Sequence, residues 1–339
     1  ADAQNPYVRM YWDGSKPVNS PFFNSVATHP YSVFYDFNHE SPHTQWLVDT
    51  VCRYWLNEFH VDGYRFDLSK GFTQVNSGNN VDQWGKYDGS RIKLLKRIND
   101  QIRKVDPAAY VILEHFAVAN EEQELAQSGM LLWSNAKFDM ARSVQGFAQD
   151  LGGMSYQQRG FEQASLITYI ESHDEERILV ELGTGAAKTF TATEKLERAK
   201  MAAALWLAVP GPKMMWQWGE LGYDISINQN GRTGVKPAKP EYARDPERQK
   251  LLQVYQVLGQ LRSAKSIFQT PTFSMQTSGI VKQILLSSGT SHVLFIANTS
   301  IESQVVTPNF PQKGIWFDYF TGKSVDISGS TNQRPSSRT

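Results

Sequence analysis

The chain of 339 residues holds a single cysteine, Cys52. One cysteine makes no intramolecular disulfide, and inside a helical apolar pattern it reads as a small buried hydrophobe. It neither demands nor forbids an oxidising compartment. An excess of charge of one sign is missing too: 34 Lys and Arg balance 34 Asp and Glu. A chain without a net field is not a general nucleic-acid binder or membrane-surface binder. No apolar run approaches the roughly 20 residues of a membrane span. There is no internal repeat, no coiled-coil pattern and no visible signal peptide. The opening Ala1-Asp2-Ala3-Gln4-Asn5-Pro6 reads as mid-chain loop, which leaves the compartment open. The length fits one large domain, or a large one with a small companion.

Aromatic residues, by contrast, are plentiful: 9 Trp, 14 Tyr and 18 Phe. Trp12, Phe22, Phe23, Trp84 and Tyr87 sit in polar loops. Exposed rings there would suit sugars, whose axial C–H faces stack on aromatic surfaces, while rings packed under a long loop fit the pattern equally. Residues 1–40 show no periodicity and are rich in Pro, Asn and Ser; a stretch this long without elements is usually functional. Ser41-Pro42 then opens a helix, with Ser as N-cap and Pro at the first helical position. Leu47, Val51, Cys52, Trp55 and Phe59 follow at helical spacing and are expected to be its buried set. Strands are expected near 60–68, 110–113, 130–133, 166–170 and 213–218. Helices at about 92–105, 121–128, 195–208 and 246–263 lie between and after them. This alternation predicts βα units and a parallel sheet. Beyond about residue 274, short alternating strands predict a small antiparallel β domain.

Three strands run out onto carboxylates: Gly63-Tyr64-Arg65-Phe66-Asp67-Leu68-Ser69-Lys70, Val111-Ile112-Leu113-Glu114-His115-Phe116 and Ile170-Glu171-Ser172-His173-Asp174-Glu175-Glu176-Arg177. A carboxylate at a strand end is often only the cap of the next helix. Three of them in one βα series are expected to converge at the C-terminal rim of the strands. Glycosidic chemistry needs two carboxyl groups in different states, one ionised and one protonated. Asp67 lies two residues beyond Arg65, so strand alternation puts both on one face. The guanidinium favours the charged carboxylate, which suits Asp67 as nucleophile. Glu114 follows Val-Ile-Leu and stands near Phe116; an apolar setting raises a carboxyl pKa and suits a proton donor. Asp174 would be a third carboxylate, holding sugar hydroxyls.

In this order and spacing the segments resemble catalytic regions of the α-amylase family, glycoside hydrolase family 13. Gly63-Tyr64-Arg65-Phe66-Asp67 is similar to the fourth-strand motif, Glu114 takes the place of the fifth-strand acid/base, and His173-Asp174 resembles the seventh-strand pair. Tyr35-Asp36-Phe37-Asn38 is similar to a short motif of the loop domain after the third strand. Gln217-Trp218-Gly219-Glu220-Leu221-Gly222-Tyr223 looks like the end of the eighth. The resemblance implies a (β/α)8 TIM barrel, a retaining mechanism and an α-glucan substrate such as starch or glycogen. It implies Asp67, Glu114 and Asp174 as catalytic, with Arg65, His173, Lys70, His115 and Trp218 binding substrate. The family's third-strand Asp…Asn-His motif is absent. The expectation is therefore a barrel lacking its first three strands in this chain, followed by a small antiparallel β-sandwich. The division would be 1–40 (loop), 41–270 (barrel strands four to eight) and 271–339 (β domain). Such a chain is expected to self-associate or to associate with the missing N-terminal part, and to lack appreciable hydrolase activity by itself. The polar segment 329–339 lacks the alternation of a closing strand. Gly71 stands where many calcium-dependent members have His, so calcium is not required by the sequence. Ser172-His173-Asp174-Glu175 also resembles branching enzymes, so hydrolysis, branching or glucan transfer, and an inert glucan-binding fragment all remain open.

Overall fold

A computed structural model of the chain describes residues 2–32, 34–328 and 334–335. Strands β1 (Gly63–Phe66), β2 (Tyr110–Leu113), β3 (Leu131–Asn135) and β4 (Leu166–Tyr169) form a four-stranded sheet in that order. β1 pairs parallel with β2, Gly63 opposite Tyr110, and β2 parallel with β3, Ile112 opposite Leu131. Val111, Leu113, Leu132, Leu166 and Ile167 are buried, as a parallel sheet covered by helices requires. Gly63 is needed for the first pairing, since a Cβ there would lie 2.2 Å from the Tyr110 carbonyl oxygen.

The helices begin where local chemistry caps them. Ser41 opens Pro42–Phe59, Asp88 takes the Ser90 and Arg91 N–H groups at the head of Gly89–Val105, and a Thr191/Glu194 capping box opens Ala192–Ala208. Asp245 caps Pro246–Ala264. The helix Ala119–Gln127 follows β2. The strand–helix alternation is thus the expected one, with two corrections. The strand expected at 213–218 shrinks to one bridge, Lys213 beside Thr168. Pro210 and Pro212 have no N–H to extend a ladder, and from Trp218 (φ 67°) the chain coils into the 3-10 turn Gly219–Leu221. In the helix Pro42–Phe59, the buried positions are Thr44, Cys52 and Leu56, whereas Val51, Trp55 and Phe59 are exposed. Helical spacing defines a stripe without saying which stripe has a neighbour. The packed side is the one carrying Asp49, which binds Arg97 of Gly89–Val105 at 2.6 Å.

The described chain forms two compact units, residues 1–134 with 159–167, and residues 135–158 with 168–339. In the first, residues 2–40 carry more structure than their sequence promised. A helical turn spans Pro6–Arg9, bridges join Trp12 to Pro17 and Phe23 to Phe37, and Val8, Phe22 and Phe23 form a small core. Asp36 pins this segment by accepting bonds from Asn24 Nδ2 (2.8 Å) and the Thr28 N–H (3.3 Å). Phe22, Phe23 and Trp84 are therefore interior packing rather than exposed platforms; Tyr87 is exposed. In the second unit, β5 (Phe273–Gln276), β6 (Val281–Ser288) and β7 (Ser291–Asn298) form an antiparallel sheet. Met275, Ile284 and Leu286 of that sheet share one core with Trp206, Met140 and Phe268. Gly314–Phe317 pairs antiparallel with Ser324–Ile327. Of the segment 329–339, only the short strand Arg334–Pro335 beside Val305–Val306 falls within the described residues; the rest of that expectation lies outside them.

Candidate active site

β1 and β2 run parallel with Phe66 opposite Leu113, so Asp67 and Glu114 leave adjacent strands at the same edge. Arg65 joins them. Its Nη1 lies 2.9 Å from Asp67 Oδ1, and its Nη2 lies 3.1 Å from Glu114 Oε2. The guanidinium also lies over the Trp133 ring, 5.1 Å from its centroid. The two acids differ in setting: the Asp67 side chain is 77% exposed and that of Glu114 only 16%. Burial pushes the Glu114 carboxyl up. The Leu68 N–H bond and Arg65 pull against it, and the Asp67 charge adds to the rise. One carboxyl thus has its proton affinity raised by burial beside another that faces water.

Lys70 and His115 are placed less as expected. Lys70 Nζ donates to the Phe116 carbonyl at 2.9 Å and lies over the Trp84 ring at 4.1 Å, and burial lowers its pKa. His115 is buried, with Nδ1 3.0 Å from Ser69 Oγ and Nε2 2.8 Å from Glu121 Oε1. Both ring nitrogens are engaged inside the protein, so the sugar-binding role expected for His115 does not follow from its position. Neighbouring residues of an extended chain point to opposite sides, and where Glu114 faces Arg65, His115 faces the interior.

In the second unit, the chain beyond β4 presents His173 and Asp174, both about half exposed. Ser172 Oγ accepts the Asp174 N–H at 3.0 Å, and His173 Nε2 lies 3.0 Å from Asp174 Oδ2. Arg232 Nη2 reaches the Asp174 carbonyl at 2.8 Å and Oδ1 at 3.1 Å. A cavity of about 260 Å³ is lined here by His173, Arg177, Trp216, Trp218, Tyr223 and Arg232 among others. Trp218 stands edge-on to Tyr223 with centroids 5.7 Å apart. Arg177 is tied to Glu171 at 3.0 Å and to the Gln217 carbonyl at 2.9 Å. Arg232 was missed in the sequence reading; it stands in a Gly- and Asn-rich loop with no periodicity, and only its flanking Gly231 and Gly234 mark it.

A family model for the α-amylase catalytic domain matches residues 27–256. The chain belongs to the α-amylase family. It is similar to the 1,4-alpha-glucan branching enzyme GlgB of Nitratidesulfovibrio vulgaris, with 23% identity over 340 residues, covering 91% of this chain and 52% of the relative. A shorter match, to GlgB of Aliivibrio fischeri, is 27% identical over 84 residues, covering 23% of this chain and 12% of that one. Among solved structures, AmyP in complex with maltose matches with TM-score 0.66 and 15% identity, over 90% of this chain and 67% of that one. The α-amylase of Geobacillus thermoleovorans complexed with acarbose matches with TM-score 0.66 and 14% identity, over 89% and 64%. The type III pullulan hydrolase of Thermococcus kodakarensis matches at 0.61 and 17%, over 86% and 48%. These likenesses show the fold, a TIM-barrel-like parallel sheet followed by antiparallel sheets. The chain spans about half the length of the Nitratidesulfovibrio relative.

Within this family a calcium ion is the cofactor to consider. Among the described residues, no group of three His, Cys, Asp or Glu side chains is arranged to hold a metal. At Gly71, a Cβ would lie 2.6 Å from His29 Nε2, so a side chain there would require the His29 ring to move.

Proposed function

We propose that this chain carries the chemistry of a retaining glycosidase of the α-amylase type, acting on α-linked glucans such as starch, glycogen or maltooligosaccharides. One arrangement carries the reading: Arg65 spans the exposed Asp67 carboxylate and the Glu114 carboxyl, whose pKa burial raises. Retaining hydrolysis uses that pair of states. Glu114 gives its proton to the glycosidic oxygen while the C1–O bond breaks and Asp67 bonds to C1. Glu114, now ionised, then takes a proton from water; the oxygen of that water bonds to C1, and the ester to Asp67 breaks. The retaining step uses carboxyl groups about 5–5.5 Å apart, with the sugar entering between Asp67 and Glu114. Asp174, held by His173 and Arg232, takes the role of third carboxylate that the family resemblance implies, holding sugar hydroxyls as positive charge develops.

Transfer to a glucan hydroxyl in place of water is the second reading. The branching-enzyme relatives favour it, and the same intermediate serves both. Incubation of the catalytically competent protein with amylose separates them. Hydrolysis raises reducing ends and is abolished by Asp67→Asn or Glu114→Gln. Branching creates new branch points at constant reducing ends. Glucan binding with neither product would overturn the enzymatic reading and leave a glucan-binding chain.

A further inference from the structure

We propose that Ser69, His115, Glu121 and Arg91 are positioning residues that set the Glu114 carboxyl against Asp67. The inference rests on the reading of Glu114 as proton donor. Both acids sit beside backbone that is disfavoured for a side-chain-bearing residue. Leu68, directly after Asp67, has φ 45°, and Phe116, two residues past Glu114, has φ 50°. Such conformations persist only where the surroundings hold them.

The surroundings here form a closed ring of bonds. The Leu68 N–H donates to Glu114 Oε2 at 2.9 Å, and the Ser69 N–H donates to the Glu114 carbonyl at 2.9 Å. The turn after Asp67 is thereby laced to the segment around Glu114. Behind it, Ser69 Oγ lies 2.9 Å from the Glu114 carbonyl and 3.0 Å from His115 Nδ1. His115 Nε2 meets Glu121 Oε1 at 2.8 Å, and Glu121 takes the Arg91 fork at 2.6 and 2.8 Å. Arg91 Nη1 returns to the turn by donating to the Lys70 carbonyl at 3.0 Å. Ser69, His115, Glu121 and Arg91 are all within 1% of complete burial. A buried Arg–Glu pair is a weak source of stability but a strong constraint on geometry, and this one constrains the backbone of both acids.

The protons in the ring are assigned by the acceptors. The Arg91 fork and the His115 bond hold Glu121 ionised against the cost of its burial, so it only accepts, and His115 Nε2 must carry hydrogen. Burial lowers the His115 pKa and favours the neutral ring, which leaves Nδ1 as an acceptor; the single Ser69 hydroxyl hydrogen is then shared between Nδ1 and the Glu114 carbonyl. Removing that hydroxyl frees the turn and with it the Leu68 N–H. Because that N–H bond lowers the proton affinity of Glu114, its loss raises the Glu114 midpoint.

The test follows the side-chain carboxyl resonance of Glu114 by NMR in the 13C-glutamate-labelled chain, as wild type, Ser69→Ala and Ser69→Thr. The expected result is a higher Glu114 midpoint in Ser69→Ala and a return toward wild type in Ser69→Thr, which restores a hydroxyl. An unmoved midpoint in folded Ser69→Ala overturns the proposal. Should Ser69→Ala not fold, the 15N shifts of His115 in the wild-type chain decide: hydrogen on Nε2 with Nδ1 accepting is expected, and hydrogen on Nδ1 alone overturns it. Neither readout uses turnover, so failure of the glycosidase reading, seen as amylose left unchanged, is distinguishable from failure of this one.

Discussion

Arg65 has two carboxyl groups to serve with one planar fork. Lysine would offer a single point charge that cannot span both oxygens at 2.9 and 3.1 Å. Arg65→Lys is expected to lower turnover by roughly 10²-fold, the scale of losing one preorganised charge contact. Steady-state kinetics check this, and unchanged turnover with an intact fold would count against it. The Arg65–Asp67 pairing was legible because period-two spacing is enough to predict it. The rise at Glu114 was legible in direction from the apolar Val-Ile-Leu before it. Arg232 was not, because only the folding of a long irregular loop brings it to Asp174. A second residue-scale prediction concerns His39, whose ring lies 3.7 Å from that of Phe72. Burial lowers its pKa from 6.5 to about 4, with His29 acting in the same direction and Asp36 against. Between those values the unfolded chain takes up a proton that the folded chain refuses. The stability tied to His39 is therefore whole above pH 6.5 and falls by about 3 kcal/mol as pH drops through that window. Urea unfolding at pH 7 and pH 4.5 should show a smaller acid loss in His39→Phe than in wild type. Equal losses would contradict the assignment.

Strands β1 and β2 hold the two acids at one edge, and their pairing begins at Gly63. Gly63→Ala would press a methyl into the Tyr110 backbone at 2.2 Å and is expected to cost about 3 kcal/mol, read as a lower urea midpoint. Stability within about 0.5 kcal/mol of wild type would mean that the register is set elsewhere. The elements that local chemistry dictates were readable in advance: Ser41-Pro42 capping a helix, or an apolar run closing on a carboxylate. The lost strand after Lys213 and the partly shifted buried face of Pro42–Phe59, where Cys52 is covered but Val51, Trp55 and Phe59 are not, were not. Whether an apolar run pairs, or which helical stripe is covered, is decided by neighbours distant in sequence. The same holds for residues 2–40, whose order comes from Asp36 and the Phe22–Phe23 core rather than from any periodicity.

On the scale of the molecule, the helix Pro42–Phe59 leaves Tyr54, Trp55 and Phe59 exposed, with the Trp55 and Phe59 rings 4.5 Å apart and the Tyr54 and Phe59 rings 5.7 Å apart. Contiguous apolar surface of this kind favours association. The chain is expected to self-associate with rising concentration, and Trp55→Gln with Phe59→Gln should shift the mass measured by light scattering toward that of one chain. A wild-type mass equal to one chain at all concentrations would contradict this. The central claim concerns the division of labour between Asp67 and Glu114. The most direct test incubates the catalytically competent protein with a fluorinated α-glucosyl donor and identifies the labelled peptide by mass spectrometry. A covalent glucosyl adduct on the peptide containing Asp67 is predicted; an adduct on the peptide containing Glu114 would contradict the account.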